Sequence, residues 1–402
     1  MLKKNKAPLV GRHFVVPFVL VTSLFFLWGF ARAVLDVLNK HFQDILQISV
    51  AQSSLIQVTT YLGYFLTALP AGWFIARYGY RRGVIVGLLL YASGAFLFVP
   101  GMRSAAFPTF LTALFVIGCG LTFLEVSANP YITLLGPPPT GSSRLNLAQS
   151  FNGLGCVLAP LVVGRFLFGR QDADVSIPYV VMGIFVILVA IVFSFVRLPE
   201  NASVAIGRSP QVPSGYSLGS LLQKRSLLYG LGALLAYEVS EISINSYFVN
   251  FTVGSGWLTG VGASNVLSLA LVLFMAARFG GSWIMRYISA GRVLLICAGG
   301  CVCCMLAVFC NVRNVSLAAL MLNYAFEAVM FPTIYSLSLS GLSAAEAKGA
   351  GSLLMMTPVG GCAFLLMGVI ADTTSLVIPF VLPLAGFIVV AAYALWLLRR
   401  SR

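Results

Sequence analysis

A chain of 402 residues that is 59% apolar and 9% charged, with a net charge of +14 and a mean hydropathy of +0.96, cannot present an ordinary water-facing surface, because soluble domains carry about a quarter charged residues. That excludes a soluble enzyme or binding module and places the chain in a bilayer. The basic excess is no sign of nucleic acid either. Its lysines and arginines gather in short segments between apolar runs, as membrane topology requires.

The basic start, MLKKNKAPLVGRHF, leads into an apolar segment long enough to span and without a small-residue cleavage site, so it reads as a first transmembrane helix. A helix crossing the hydrocarbon needs about 20 apolar residues. Twelve candidates follow in chain order, near 14–39, 52–76, 83–101, 107–134, 145–168, 177–197, 226–253, 262–286, 292–311, 316–341, 349–370 and 376–398. The runs are continuous rather than alternating, which favours helices over a closed barrel. The predicted class is therefore an all-α integral membrane protein of twelve transmembrane helices.

Between the sixth and seventh runs, 198–225 is rich in Pro, Ser and Gly and reads as a linker. It divides the chain into six-helix bundles over 1–197 and 226–402. With both termini cytoplasmic, eighteen lysines and arginines fall on the inner side and five on the outer, a strong positive-inside bias. Arg32 and Arg278 fall inside spans. Eight cysteines form no disulfide framework, and Cys301, Cys303 and Cys304 lie in an apolar run without a histidine, so they read as small packing residues.

The halves resemble each other. AGWFIARY at 71–78 matches GGSWIMRY at 280–287, and EVSANPYI at 125–132 matches EAVMFPTI at 327–334, both of the form Glu-x4-Pro-x-Ile. Asp36 and Glu241 correspond roughly as well. Similar offsets imply two pseudo-symmetric bundles, an arrangement that puts a binding site at the midplane between them.

Five acidic residues lie well inside spans: Asp36, Glu125, Glu238, Glu241 and Glu327. Each would cost about 2.5–3.5 kcal/mol if ionised at the bilayer centre, so they must face a cavity, pair, or be protonated. Asp36 shares a face with Arg32 and Asn39, which allows a structural ion pair or a titrating carboxylate beside a pocket. Glu125 has no basic residue within a turn, which suits a group that takes and releases a proton. Pro130, after Asn129, is expected to bend this helix and free carbonyls for a cavity. Asn146, Gln149 and Asn152 fall near one face of the fifth run, and amides that donate and accept suit a hydroxylated solute, with interhelical hydrogen bonding as the alternative. Glu238, Glu241 and Asn245 form a similar row on the seventh.

The segments SLFFLWGFARAVLDVL, YLGYFLTALPAGWF, LEVSANPYITLLGP, RLNLAQSFNGLG, FPTIYSLSL and MMTPVGGCAFLLMGVIAD resemble the fucose–proton symporter family of the major facilitator superfamily, which includes glucose/galactose transporters. The resemblance implies the major facilitator fold and proton-driven monosaccharide uptake across the cytoplasmic (inner) membrane by alternating access. It implies that Asp36 and Glu125 couple protonation to transport and that Gln149 and Asn152 contact sugar. Asn146, Asn129, Asn39, Glu241 and Asn245 are further candidate sugar ligands. Arg32, Glu238 and Glu327 stand where the family carries neutral or uncharged residues and are candidate modulators. The proton, with sodium as the alternative ion, is the coupling partner; no cofactor, metal or nucleic acid is expected, and the chain is expected to be a monomer in lipid. The rival readings are a sodium-coupled or uncoupled carrier or exporter and, more remotely, a membrane-embedded enzyme or a non-transporting sensor. Against the enzyme, the only histidines, His13 and His41, lie at opposite ends of the first run.

Overall fold

The computed structural model describes residues 8–46, 50–104, 107–159, 176–195 and 218–400. Within the described residues each expected span meets a helix, the fifth as far as Ala159 and the sixth as far as Phe195: α1 (Val15–Leu46), α2 (Val50–Tyr78), α3 (Tyr80–Phe96), α4 (Phe107–Leu134), α5 (Gly141–Ala159), α6 (Ser176–Phe195), α7 (Arg225–Gly254), α8 (Gly260–Ile284), α9 (Ala290–Val308), α10 in two pieces (Arg313–Glu327 and Met330–Ser338), α11 in two pieces (Ala344–Leu354 and Phe364–Thr373) and α12 (Val381–Arg400). A short helix, Phe98–Ser104, continues α3. Among the described residues eight helices are long and apolar enough to cross a bilayer, and large apolar side chains such as Val181, Leu269, Trp283, Ile296 and Val369 face outward to lipid. The linker expected over 198–225 lies outside the described residues as far as 217; a short helix, Leu218–Leu222, precedes α7.

The packing repeats with a shift of six helices. α1 packs on α5, α2 on α4 and α3 on α6; in the second half α7 packs on α11, α8 on α10 and α9 on α12. The two bundles meet where α5 lies against α8 and α10, and where α2 lies against α11. Small residues allow these approaches. A Cβ on Gly155 of α5 would stand 2.3 Å from the carbonyl oxygen of Phe26 in α1.

Two expected continuous spans are broken, both for the same reason. Proline has no N–H for the carbonyl four residues earlier. In α10 the break falls at Ala328–Val329, and Ala328 is four residues before Pro332. In α11 the first piece ends at Leu354, four residues before Pro358, and the Leu354 carbonyl accepts from the Thr357 hydroxyl at 2.7 Å. A 3₁₀ turn, Thr357–Ala363, then carries the chain on. By contrast α4 runs through Pro130 without a break like those in α10 and α11.

Candidate functional site

The site is built where α4 and α5 of one half face α8, α10 and α11 of the other. Glu125 on α4 is buried, and the Tyr64 hydroxyl on α2 donates to its Oε1 at 2.6 Å. One turn further along α4, Asn129 is also buried; its Oδ1 accepts from Gln149 Nε2 at 3.2 Å, and its Nδ2 lies 3.6 Å from the Met355 sulfur at the end of the first piece of α11. Gln149 in turn accepts from Arg278 of α8. The Arg278 Nη1 donates to the Gln149 backbone oxygen at 3.2 Å and reaches its Oε1 at 3.4 Å, while Nε donates to the Ala328 carbonyl at 2.8 Å. The same guanidinium lies over the Phe274 ring at 4.4 Å. A continuous polar chain, Arg278–Gln149–Asn129–Met355, thus crosses between the halves twice.

The α5 row does not act as one unit. The Asn146 Nδ2 donates to Thr333 Oγ1 on α10 at 3.1 Å and to the Ser142 carbonyl at 2.9 Å. Gln149 joins the chain just described. Asn152, half-buried, donates to the Phe25 carbonyl on α1 at 3.2 Å. Below Asn146 the halves are sewn together by serines. Ser143 donates to the Ser282 carbonyl at 2.6 Å, Ser282 returns a bond to the Ser143 carbonyl at 2.8 Å, and the hydroxyls of Ser142 and Ser336 bond each other. Ser142 and Ser336 also border a cavity of about 790 Å³ that extends away from the carboxyls, between the α4–α5, α8–α9 and α10–α11 turns. At about 0.5–1.5 kcal/mol net per bond, this seam is held by a few kcal/mol.

The second half gathers three carboxyls around one cation. Glu238, Glu241, Glu327 and Arg278 all lie within electrostatic reach of Tyr237. Glu327, the last residue of the first piece of α10, is fully enclosed and its Oε2 contacts Asn323 Nδ2 at 2.6 Å. Glu241 and Asn245 are half-buried on α7, and Glu238 is buried. An ionised, buried carboxylate costs several kcal/mol unless it is compensated, and among the described residues Arg278 is the cation that shares these surroundings. Arg32, Asp36 and Asn39 sit on α1, but their side chains lie outside the described residues.

Arg278 carries no role in the sequence reading beyond being a cation inside a span, and that isolation was the signal available. Tyr64, Thr333 and the four serines had none, since hydroxyl residues are common in membrane helices. Arg144, counted only as a topology charge, is fully buried. Its guanidinium donates to the Ile132 carbonyl at 3.0 Å and the Gly136 carbonyl at 3.2 Å, closing the end of α4, and to the Leu9 carbonyl at 3.0 Å.

Two pseudo-symmetric helical bundles, with buried carboxyls and amides at their interface and no route for them through lipid, define a multi-pass membrane transporter rather than an enzyme. The matches to known proteins agree. The family model described as Major Facilitator Superfamily matches residues 21–363, and the chain belongs to that superfamily. It is 32% identical to a glucose/galactose transporter of Brucella abortus over 93% of this chain and 92% of that protein. It is likewise 32% identical to an L-fucose-proton symporter of Haemophilus influenzae, over 96% of this chain and 97% of the other. A crystal structure of a major facilitator superfamily transporter, FucP, in the outward conformation superposes with a TM-score of 0.85 at 30% identity, covering 96% of this chain and 99% of that one.

Proposed function

We propose that this chain carries a monosaccharide inward together with a proton, by alternating access. The observation that carries the reading is Glu125, a carboxyl enclosed in the bundle one turn from the amide chain that joins the two halves. A group so placed can respond both to a proton and to a solute held by Asn129 and Gln149. Asn152, its amide nitrogen held by Phe25, has a carbonyl oxygen that can accept from a sugar hydroxyl. Asp36 is assigned a share in coupling that same proton, on the strength of the family resemblance alone. Asn146, Asn39, Glu241 and Asn245 complete the proposed sugar-binding set, and Arg32, Glu238 and Glu327 are assigned as modulators.

The excess of basic residues makes the end bearing the α4–α5 and α10–α11 turns cytoplasmic. The serine seam then closes the cytoplasmic side, and the 790 Å³ cavity beyond it is the vestibule into which the path opens. Moving such an equilibrium from 1:99 to 99:1 takes about 5.5 kcal/mol of differential binding. A seam of a few kcal/mol is of the size that differential interaction with solute and proton can shift. The test is counterflow of radiolabelled L-fucose, D-glucose and D-galactose in proteoliposomes, with and without an imposed pH gradient. At least one sugar should exchange, and the gradient should drive its accumulation. E125Q should keep exchange while its pH-driven accumulation falls. Accumulation unaffected by the pH gradient would remove the proton from the scheme.

A further inference from the structure

We propose that Glu327 is a second proton-carrying carboxyl of the cycle, one that in its ionised form draws Arg278 away from Gln149 and so loosens the seam from the C-terminal half. The inference rests on the proton-coupled reading above and extends it to a residue on the opposite bundle.

The first argument is enclosure. Glu327 has no exposed surface, and among the described residues neither its Oε1 nor Oδ1 of Asn323 beside it has a hydrogen-bond partner. The contact between the two residues is 2.6 Å. That is short for an amide N–H donor, which favours about 2.9–3.0 Å, and ordinary for an O–H donor. The oxygen and nitrogen of an amide are interchangeable in such an assignment. Turned over, the amide presents Oδ1 to a carboxyl O–H, and an orphaned acceptor becomes satisfied. That arrangement suits a protonated carboxyl, enclosed where an ionised one would go uncompensated.

The second argument is the company Glu327 keeps. Glu241 and Tyr237 face it from α7, Arg278 from α8, Cys301 and Cys304 from α9, and Tyr324 from its own helix. Arg278 is the single cation in that group. Its fork is committed to Ala328 and Gln149, and among the described residues no ion pair joins it to Glu327. When the Glu327 O–H bond breaks, the proton passes by way of half-buried Glu241 to water in the opening path. The carboxylate left behind has one counter-charge to recruit. Recruiting it takes the guanidinium from both Gln149 oxygens, and those are bonds between the halves. Loss of the proton and loosening of the seam thereby become one event.

The experiment measures proton number. In proteoliposomes clamped at zero membrane potential, the logarithm of sugar accumulation is followed against the imposed pH difference, for wild type and E327Q, using whichever of L-fucose, D-glucose and D-galactose shows counterflow. The slope should be about two for wild type and about one for E327Q, since each coupled proton adds one unit. Equal slopes overturn the inference while leaving the transport reading intact. Wild type that exchanges none of the three sugars sinks that reading, and the inference with it. Should E327Q fail to reach the membrane, infrared difference spectra of wild type and E327D take over. The carbonyl band of a protonated carboxyl should shift between them, because the shorter side chain loses Asn323; a band that does not move overturns the inference.

Discussion

Arg278 Nε donates at 2.8 Å to the carbonyl of Ala328, the group that Pro332 leaves without its helical partner. Proline opens the gap in α10, and a cation from α8 fills it. In lipid an orphaned carbonyl has no water to turn to, so this bond is worth more than a surface contact. The R278M variant should lose about 1–3 kcal/mol of stability from the unsatisfied carbonyl. P332A restores the N–H, so R278M should cost much less in the P332A background. Thermal unfolding in detergent of the two single variants and the double variant supplies the cycle. Strict additivity would show that the proline and the arginine are unconnected.

The Ser142 and Ser336 hydroxyls meet at the inner end of the seam, one from each half. Cysteines at both positions, in a background from which the eight native cysteines have been removed, should cross-link on oxidation, since side chains in contact satisfy the short reach of a disulfide. The locked protein should still bind sugar from outside but carry none across, and a reductant should restore transport. Undiminished counterflow after complete cross-linking would mean that the seam does not open during the cycle.

The helical plan was legible because apolar runs of spanning length are hard to mistake, and because matched motifs such as EVSANPYI and EAVMFPTI fall in α4 and α10. The breaks in α10 and α11 were not. Pro130, Pro332 and Pro358 look alike in sequence, and α4 runs on through its proline while the other two helices break near the carbonyl four residues before theirs. The site was half legible. Buried carboxyls announce themselves by their cost in lipid, so Glu125 and Glu327 stand out at once. The division of Asn146, Gln149 and Asn152 among three different partners depends on which helix lies opposite, and that is a tertiary fact. So is Arg144: its charge looked like topology, but its acceptors lie on α4 and the amino-terminal segment.

Arg144 supplies a test that does not depend on transport at all. Its guanidinium satisfies carbonyls at the C-terminal end of α4, where a helix presents unpaired acceptors and favours a cation. Lysine keeps the charge but not the planar fork that reaches several oxygens at once. R144K should therefore lose most of the contacts, and R144A all of them, with a loss of about 1–3 kcal/mol for a buried acceptor left unsatisfied. The measurement is the melting temperature in detergent together with the amount of protein in the membrane. An R144K protein as stable as wild type would show that charge alone, without the fork, closes the end of α4.

Asn152 and Gly155 lie one turn apart on α5 and separate packing from sugar binding. Alanine at Gly155 sets a methyl group against the backbone oxygen of Phe26, which cannot rotate away, so α1 and α5 must part. G155A should lose about 1–3 kcal/mol of stability, and sugar affinity should fall only as the fold weakens. N152A removes one bond to the Phe25 carbonyl, a loss of about 0.5–1.5 kcal/mol. If Asn152 also meets the sugar, its removal should weaken binding about tenfold, equivalent to about 1.4 kcal/mol, beyond anything the stability loss explains. Equilibrium binding and melting temperature measured on the same preparations distinguish the two. An N152A protein that melts lower yet binds sugar as wild type does would leave Asn152 a purely interhelical residue and move the sugar contact to Gln149 and Asn129.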